Sequence, residues 1–332
     1  MEAQNLPISI TGPDESVSAI EDAFANQGDS AIEFVHADDR DVAVNQVETR
    51  ETYGAIVLSA SGAPEVLTAP AGSAVATQLL NGVVTQLQAQ LTQQVAAAGG
   101  DPTAAPQVEV TPVVELSDAD PIGSGLTAAA FPLMLGGMLG GILVSLAIAG
   151  VWRRLTAVTV FAAATSIVLT LVMQTWFEYL QGDFWLNMLA IGMSILATGM
   201  FIVGCVTLLG NPGVGVGAAV TMLVGNPLSA AAIPWQFIVE PWGAIGQFMV
   251  PGASNWLLRS LSDFPEADNT QQWWTLAGWG VLGIVLALIG AEIRGRRAVT
   301  PATPERDEDG TNAASESAAT RASAERPASV AV

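Results

Sequence analysis

The sequence contains no lysine, one cysteine and one histidine among its 332 residues. The single Cys205 cannot form a disulfide within the chain, and it excludes a cysteine-rich zinc site. The single His36 excludes most metal sites and catalytic triads that depend on histidine. A solvated histidine at a strand edge explains it better than a ligand or a base does. We therefore expect a protein that is not an enzyme and that needs no metal and no cofactor.

Charged residues are also scarce. They make up 13% of the chain, whereas soluble globular proteins average roughly 25%. The 31 acidic residues outnumber the 11 arginines, which gives a formal net charge of −20. Because nucleic-acid phosphates bind clustered basic side chains, we do not expect a nucleic acid as partner. With 51% hydrophobic residues and a mean hydropathy of +0.45, the composition favours a membrane protein and makes the lipid bilayer the first expected partner.

The few charges divide the chain into three parts. Residues 1–126 carry 18 acidic and 2 basic residues, residues 127–298 carry 7 and 6, and residues 299–332 carry 6 and 3. A long middle part with little charge is typical of a chain solvated by lipid. We predict an extracytoplasmic domain at 1–120, a transmembrane domain at 121–298 and a disordered cytoplasmic tail at 299–332.

Five apolar stretches in the middle part approach or exceed the roughly 20 residues that cross a membrane as a helix. We predict spans at about 126–151, 155–177, 184–209, 214–233 and 273–293, and an outer-face loop with short helices at 234–270. The fourth stretch is the weakest, because Asn226 and Pro227 interrupt it.

Arginines set the expected orientation, since basic residues in short loops stay in the cytoplasm. Arg153 and Arg154 lie between the first two spans, and three arginines at 294, 296 and 297 follow the last span. Both groups face the same side if there are five spans. We therefore expect a multi-pass protein of the bacterial plasma membrane, with its N-terminal domain outside and its C-terminus inside. No signal peptide precedes the domain, so we expect either a missing upstream span or translocation of a long N-terminal tail.

The N-terminal part alternates between strand and helix patterns. Strands are predicted at 6–12, 31–37, 53–59, 65–71 and 107–116, and helices from about 14, 38 and 73. Such alternation favours a mixed α/β domain with partly parallel strands. The predicted fold class is thus a polytopic α-helical membrane protein, with about five spans, interfacial helices and an extracytoplasmic mixed α/β domain.

Four glycines of the first span recur at four-residue spacing and would let two helices approach closely. These helix-packing glycines are Gly136, Gly137, Gly140 and Gly141. They can serve a homodimer or heterodimer interface, or packing within the chain.

The most distinctive stretch is GNPLSAAAIPWQFIVEPWGAIGQFMVPGASNWLLRSLSDFP, Gly225–Pro265. With the preceding domain pattern, it resembles the C-terminal region of type 2 ABC exporter permeases and of phage-infection-protein (YhgE/Pip-like) bacterial membrane proteins. The usual N-terminal span of those families is lacking here. The resemblance implies an outer-face re-entrant motif before the last span. Its residues would be Gly225, Asn226, Pro227, Pro234, Pro251, Gly252 and Arg259.

The resemblance also implies a function. The chain would be the permease-like subunit of an export system for a lipophilic or cell-envelope substrate. No GxxxxGK[ST] phosphate loop is present, so a separate ATPase subunit would have to dock. Trp152, Arg153, Arg154 and Leu155 would form the coupling segment, or would only anchor the cytoplasmic side. The alternative is a non-transporting YhgE/Pip-like scaffold or receptor that acts through its outer domain.

Overall fold

The computed structural model describes residues 5–26, 31–59 and 63–299. The chain divides into two compact units, Met1–Ala291 and Glu292–Val332, and the features below belong to the first, apart from those of residues 292–299. The predicted tail lies outside the described residues, except for its first residue.

The N-terminal part is built on a five-stranded sheet with the strand order β2-β1-β3-β4-β5. Its strands are β1 (Leu6–Thr11), β2 (Ile32–His36), β3 (Gly54–Val57), β4 (Glu65–Thr68) and β5 (Glu109–Pro112). The β1 strand pairs in parallel with β2 and β3, β3 pairs antiparallel with β4, and β4 pairs in parallel with β5. The predicted mixed α/β fold with partly parallel pairing is confirmed.

Three helices cover the sheet: α1 (Asp14–Asn26), α2 (Arg40–Glu48) and α3 (Ala74–Ala97). Alternate residues of β1 point to opposite faces. Leu6, Ile8 and Ile10 pack in one apolar cluster with α1 and α3, whereas the hydroxyl of Ser9 donates to Gln46 of α2 on the other face. The side-chain oxygen of Ser73 accepts a hydrogen bond from the N–H of Ala76 and so begins α3.

The rest of the first unit is a helical bundle. Its long helices are α4 (Gly125–Ala147), α5 (Val151–Thr170, continued by π-helical turns to Trp176), α6 (Phe184–Leu209) and α11 (Thr270–Val299). These four are long and apolar enough to cross a membrane. In α6, 78% of the most apolar stretch is buried, against 39% in α4, 28% in α5 and 22% in α11. The α6 helix is therefore central, and the other three present apolar side chains to their surroundings, as in a polytopic membrane protein.

The predicted fourth span, 214–233, differs from the structure. The chain forms a shorter apolar helix, Pro212–Leu228, in which π-helical turns separate α7 (Pro212–Ala218) from α8 (Asn226–Leu228). At 1.5 Å per residue it measures about 25 Å, less than the roughly 30 Å of a hydrocarbon core. It stops early because Ala230 adopts a positive φ of 52°. The structure thus has four long apolar helices and one short one among its described residues.

Two further helices, α9 (Trp242–Gln247) and α10 (Val250–Asp263), complete the bundle. At the start of α10, the hydroxyl of Ser254 donates to Ser194, ten residues into α6. At its other end, Ser262 accepts from the N–H of Gln181, just before α6 begins. The α10 helix therefore starts about 15 Å inside the bundle and ends where α6 begins. We call that end of the bundle, which contacts the α/β part, the domain end.

Candidate functional site

Two arginines join the α/β part to the bundle, and Arg50 is the first. It follows α2 at a positive φ of 62°. Its Nη1 donates to the carbonyl oxygen of Trp256 at 3.0 Å and to the hydroxyl of Ser260 at 2.7 Å. Its guanidinium lies 3.7 Å from the centroid of the Trp256 ring. Arg50 thus binds α10 by hydrogen bonds and by a cation–π contact.

Arg259 lies on α10 and donates to the α/β part, whereas Arg50 lies in the α/β part and donates to α10. Its Nη1 donates to the carbonyl oxygens of Ala71 at 3.0 Å and Gly72 at 3.1 Å, in the turn before α3. Its Nη2 donates to the hydroxyl of Thr127 at 3.1 Å, in the first turn of α4. Arg259 therefore links the α/β part, α4 and α10, and its side chain is 8% exposed.

Among the described residues, neither arginine forms an ion pair with an acidic side chain. The ion pairs between described residues are His36–Glu21, Arg40–Glu65 and Arg296–Glu292. Burial lowers the pKa of Arg50 to about 9 and also lowers the pKa of Arg259. Both guanidinium groups still carry their charge at neutral pH. A buried and a half-buried guanidinium group without an ion pair are costly, and such sites are candidates for function.

Asp263 is the acidic group that acts most on Arg259. Burial raises the pKa of Asp263 to about 6, although Ser262 and the two arginines act in the opposite direction. Its carboxylate accepts a hydrogen bond from Ser262 and forms no ion pair with either arginine. It therefore offsets the two positive charges only in part.

Both arginines line a cavity of about 50 Å³ between the α/β part and the bundle. The amino end of α3, at Gly72 and Ser73, and the side chain of Gln247 also line it. The Nε2 atom of Gln247 is buried and has no hydrogen-bond partner. The cavity thus brings together two guanidinium groups, an unpartnered amide donor and a helix amino end, all of which favour an anion.

A wider cleft of about 470 Å³ shares Arg50, Trp235, Gln247 and Trp256 with the cavity. The apolar Phe248, which is 57% exposed, also lines it. The four shared residues form a wall that the cavity and the cleft have in common.

The residues of the predicted re-entrant motif lie together around this region. A side chain at Gly225 would meet Pro251 at 3.2 Å, and one at Gly252 would clash with the carbonyl oxygen of Gly246. Pro234 and Arg259 line the cavity. Asn226 and Pro227 form α8, beside it. Arg259 is the one charged residue of the motif, and it lines the cavity.

Sequence reasoning missed Arg50 and Gln247. The signal for Arg50 was present, because it is one of two basic residues in positions 1–126 and the other, Arg40, pairs with Glu65. Nothing in the sequence marks Gln247, because its role depends on the position of its side-chain amide in the folded protein.

The predicted coupling segment lies elsewhere. Trp152, Arg153, Arg154 and Leu155 form the first turn of α5 and not a loop, because the chain turns earlier, at Gly150 with a φ of 92°. Trp152 is 72% exposed and Leu155 is buried. The Nε of Arg154 donates to the carbonyl oxygen of Ile148 at 2.7 Å, at the end of α4. This is the end of the bundle opposite the domain end.

Three of the helix-packing glycines face other helices of the same chain. A side chain at Gly137 would meet Thr198 at 2.9 Å, and one at Gly141 would meet Gly199 at 3.0 Å. One at Gly140 would clash with Phe161 of α5, whereas Gly136 has open space beside it. The three close contacts let α4 approach α6 and α5.

The described residues include no group of three or more histidine, cysteine or acidic side chains that could hold a metal ion. A scan against protein-family models and searches of curated proteins and of solved structures found no match for this chain. The resemblance to exporter permeases and to phage-infection proteins stays a prediction.

Proposed function

We propose that this protein is the membrane-embedded, permease-like subunit of an export system for a lipophilic or cell-envelope substrate. The observation that carries the proposal is the position of α10, which begins about 15 Å inside the bundle and carries the arginine contacts to the α/β part. A movement of the bundle would therefore act directly on the α/β part through α10.

Four long apolar helices support placement of the bundle in a membrane. With basic residues on the cytoplasmic side, Arg153 and Arg154 would lie inside and the α/β part outside, in the plasma membrane of a bacterium. Ionisable side chains that are buried in a membrane mark proton and ion paths. Among the described residues, Arg259 is the one charged residue that is buried, at 8% exposure, and it lies at the domain end. This disfavours proton-coupled transport and favours a separate ATPase as the source of energy.

The first turn of α5 is the proposed contact for that ATPase. Its exposed Trp152 and Arg153 lie at the end opposite the α/β part. The exposed apolar faces of α4, α5 and α11 leave room for a second subunit, identical or different, in the same membrane.

The test is purification of the full chain from native membranes in a mild detergent. We expect an ATPase to co-purify in a fixed ratio, and its rate of ATP hydrolysis to depend on this protein. The double variant Trp152→Ala/Arg153→Gln should lose the ATPase. Trp185→Ala is the matched control, because Trp185 is similarly exposed, at 68% against 72%, but lies at the domain end. An ATPase that is absent, or that both variants retain equally, would contradict the proposal.

A second candidate is a non-transporting envelope scaffold that acts through its α/β part. It is favoured by the closed interior of the bundle, where the cavity between α4, α6 and α10 measures about 20 Å³. That space is close to the minimum of about 10–15 Å³ for one water molecule. This candidate predicts envelope proteins, and no ATPase, in the same purification.

A further inference from the structure

We propose that the cavity between the α/β part and the bundle binds a phosphate group, carried by the headgroup of an amphiphile or supplied as a free ion. Donor groups from four segments line one small space, and no described carboxylate is among the residues that line it. Phosphate binding at this site is separate from the proposed export function, and its test does not require an ATPase.

The donors come from four different segments. Arg50 follows α2, Arg259 lies on α10, Gln247 ends α9, and Ser73 begins α3. Arginine suits phosphate because its planar guanidinium offers several N–H groups to adjacent oxygens. The amino end of a helix adds a partial positive charge and free backbone N–H groups. A tetrahedral anion can accept from all four segments at once.

Gln247 is the observation that points most directly to a ligand. Its side chain is 8% exposed, and its Nε2 has no partner within the protein. A buried donor without an acceptor costs about 1–3 kcal/mol. A bound phosphate oxygen would supply the missing acceptor.

The charges around the cavity favour an anion. No described carboxylate forms an ion pair with either arginine of the cavity. The two acids that act electrostatically on Arg259, Asp263 and Asp120, are not among the residues that line the cavity. The acids nearest the entrance, Glu33 and Glu51, line the wider cleft and are exposed to solvent. They would repel an anion from the outer cleft, whereas the two arginines would hold it in the inner cavity.

The shape of the site suits an amphiphile. The cavity of about 50 Å³ is several times the space that one water needs, roughly 10–15 Å³, and it adjoins the cleft of about 470 Å³. The apolar side chains of the segment 235–248 that line the cleft are Trp235, Ala244 and Phe248, of which Phe248 is 57% exposed. A phosphate in the cavity would place an attached apolar chain along this segment.

The depth of the site agrees with a lipid headgroup. Arg259 donates to Thr127, in the first turn of α4, which is one of the four helices long enough to span a bilayer. A side chain at that position lies at the interface if α4 spans the membrane. The lipid source rests on this membrane placement, whereas binding of a free phosphate ion does not.

The test uses the full chain in a neutral detergent. Native mass spectrometry would count bound phosphatidic acid, with diacylglycerol as the phosphate-free control, and equilibrium dialysis would measure binding of radiolabelled inorganic phosphate. We expect phosphatidic acid to bind at one site and to be displaced by inorganic phosphate. Arg50→Gln and Arg259→Gln should each weaken binding at least tenfold. Arg153→Gln, an arginine at the opposite end, should leave it unchanged.

Each result decides the question. Binding of inorganic phosphate without phosphatidic acid would assign the site to the free ion. Equal binding of phosphatidic acid and diacylglycerol, or equal binding by the wild type and both cavity variants, would overturn the proposal.

A further variant guards against misfolding of the arginine variants. Gln247→Glu keeps the shape of the side chain but places a carboxylate among the donors. We expect it to abolish binding and to raise the melting temperature of the ligand-free protein, because the new carboxylate takes the place of the phosphate. Unchanged phosphate binding by Gln247→Glu would contradict the proposed site.

Discussion

The two ends of the bundle use the same residue type in opposite ways. At the domain end, the half-buried Arg50 and the buried Arg259 bind carbonyl and hydroxyl oxygens of three separate segments. At the opposite end, Arg153 is exposed, and the half-buried Arg154 binds the carbonyl oxygen of Ile148 close by in sequence and, at 3.5 Å, the hydroxyl of Thr207 on α6. Arg154 caps the end of a helix, whereas Arg50 and Arg259 hold separate parts of the fold together. The environment of an arginine therefore decides its role.

Among the substitutions that test this difference, we expect the one at Arg259 to change the free energy of unfolding most. Arg259→Met removes three hydrogen bonds from a charged donor and leaves buried oxygens unsatisfied. We expect a loss of about 3 kcal/mol in the free energy of unfolding. Arg153→Met should change it by less than about 0.5 kcal/mol, as for an ordinary surface substitution. Chemical unfolding in detergent, followed by tryptophan fluorescence, would measure both, and equal values would break the comparison.

The next effect concerns pH at the domain end. Burial raises the pKa of Asp263 from its ordinary 3.8 to about 6 in the folded protein. A raised pKa means that the folded protein holds the proton of Asp263 more tightly than the unfolded chain does. Protonation of Asp263 therefore stabilises the fold, and this stabilisation is fully present below pH 3.8 and is lost as the pH rises through about 6. We expect Asp263→Asn to be more stable than the wild type by about 2 kcal/mol at neutral pH.

The difference in unfolding free energy between Asp263→Asn and the wild type should be measured from pH 3.8 to neutral pH. Other titrating groups cancel in that difference. The advantage of the variant should shrink as the pH falls, and a difference independent of pH would show that Asp263 is not buried as described.

A substitution at Arg50 with a smaller expected effect on stability tests whether the charge or the planar shape of this side chain matters. Arg50→Lys keeps the positive charge but loses the planar contact with the Trp256 ring at 3.7 Å. We expect a loss of about 1 kcal/mol in the free energy of unfolding. Arg40→Lys is the control, because Arg40 pairs with Glu65 at an exposed position, where the expected loss is below about 0.5 kcal/mol. A loss as small at Arg50 as at Arg40 would mean that charge alone matters there.

The smallest effect belongs to the opposite end. Arg154→Gln removes the hydrogen bond to the carbonyl oxygen of Ile148 at the end of α4 and the longer one to the hydroxyl of Thr207. We expect about 0.5 kcal/mol of destabilisation, since cations at helix carboxyl ends contribute on that scale. A shift in thermal melting would report it. A loss as large as that of Arg259→Met would remove the distinction between the two ends.

Much of the fold was predictable because the signals for it are local. The third span was predicted at about 184–209 and the helix is Phe184–Leu209, since a long apolar run between Asp183 and Gly210 defines its own ends. The short Pro212–Leu228 helix was taken for a span because its hydropathy resembles that of the others. What ends it is the backbone conformation at Ala230, which composition does not reveal.

The candidate site was predictable only in part. Arg259 stood out as a base in a stretch otherwise without bases. Its partners, and the role of Arg50, depend on contacts between segments far apart: Arg50 and Trp256 are separated by 206 positions. No local pattern encodes such a contact.

The sequence by itself determined the class of this protein: a chain with several membrane-length apolar helices and an acidic α/β part before them. Hydropathy and periodicity act over a few turns of chain, so their consequences can be read from neighbouring residues. Only the tertiary structure decided that two arginines, a glutamine amide and the start of α3 line one cavity. That arrangement depends on how α10 returns into the bundle, which is a property of packing between distant segments.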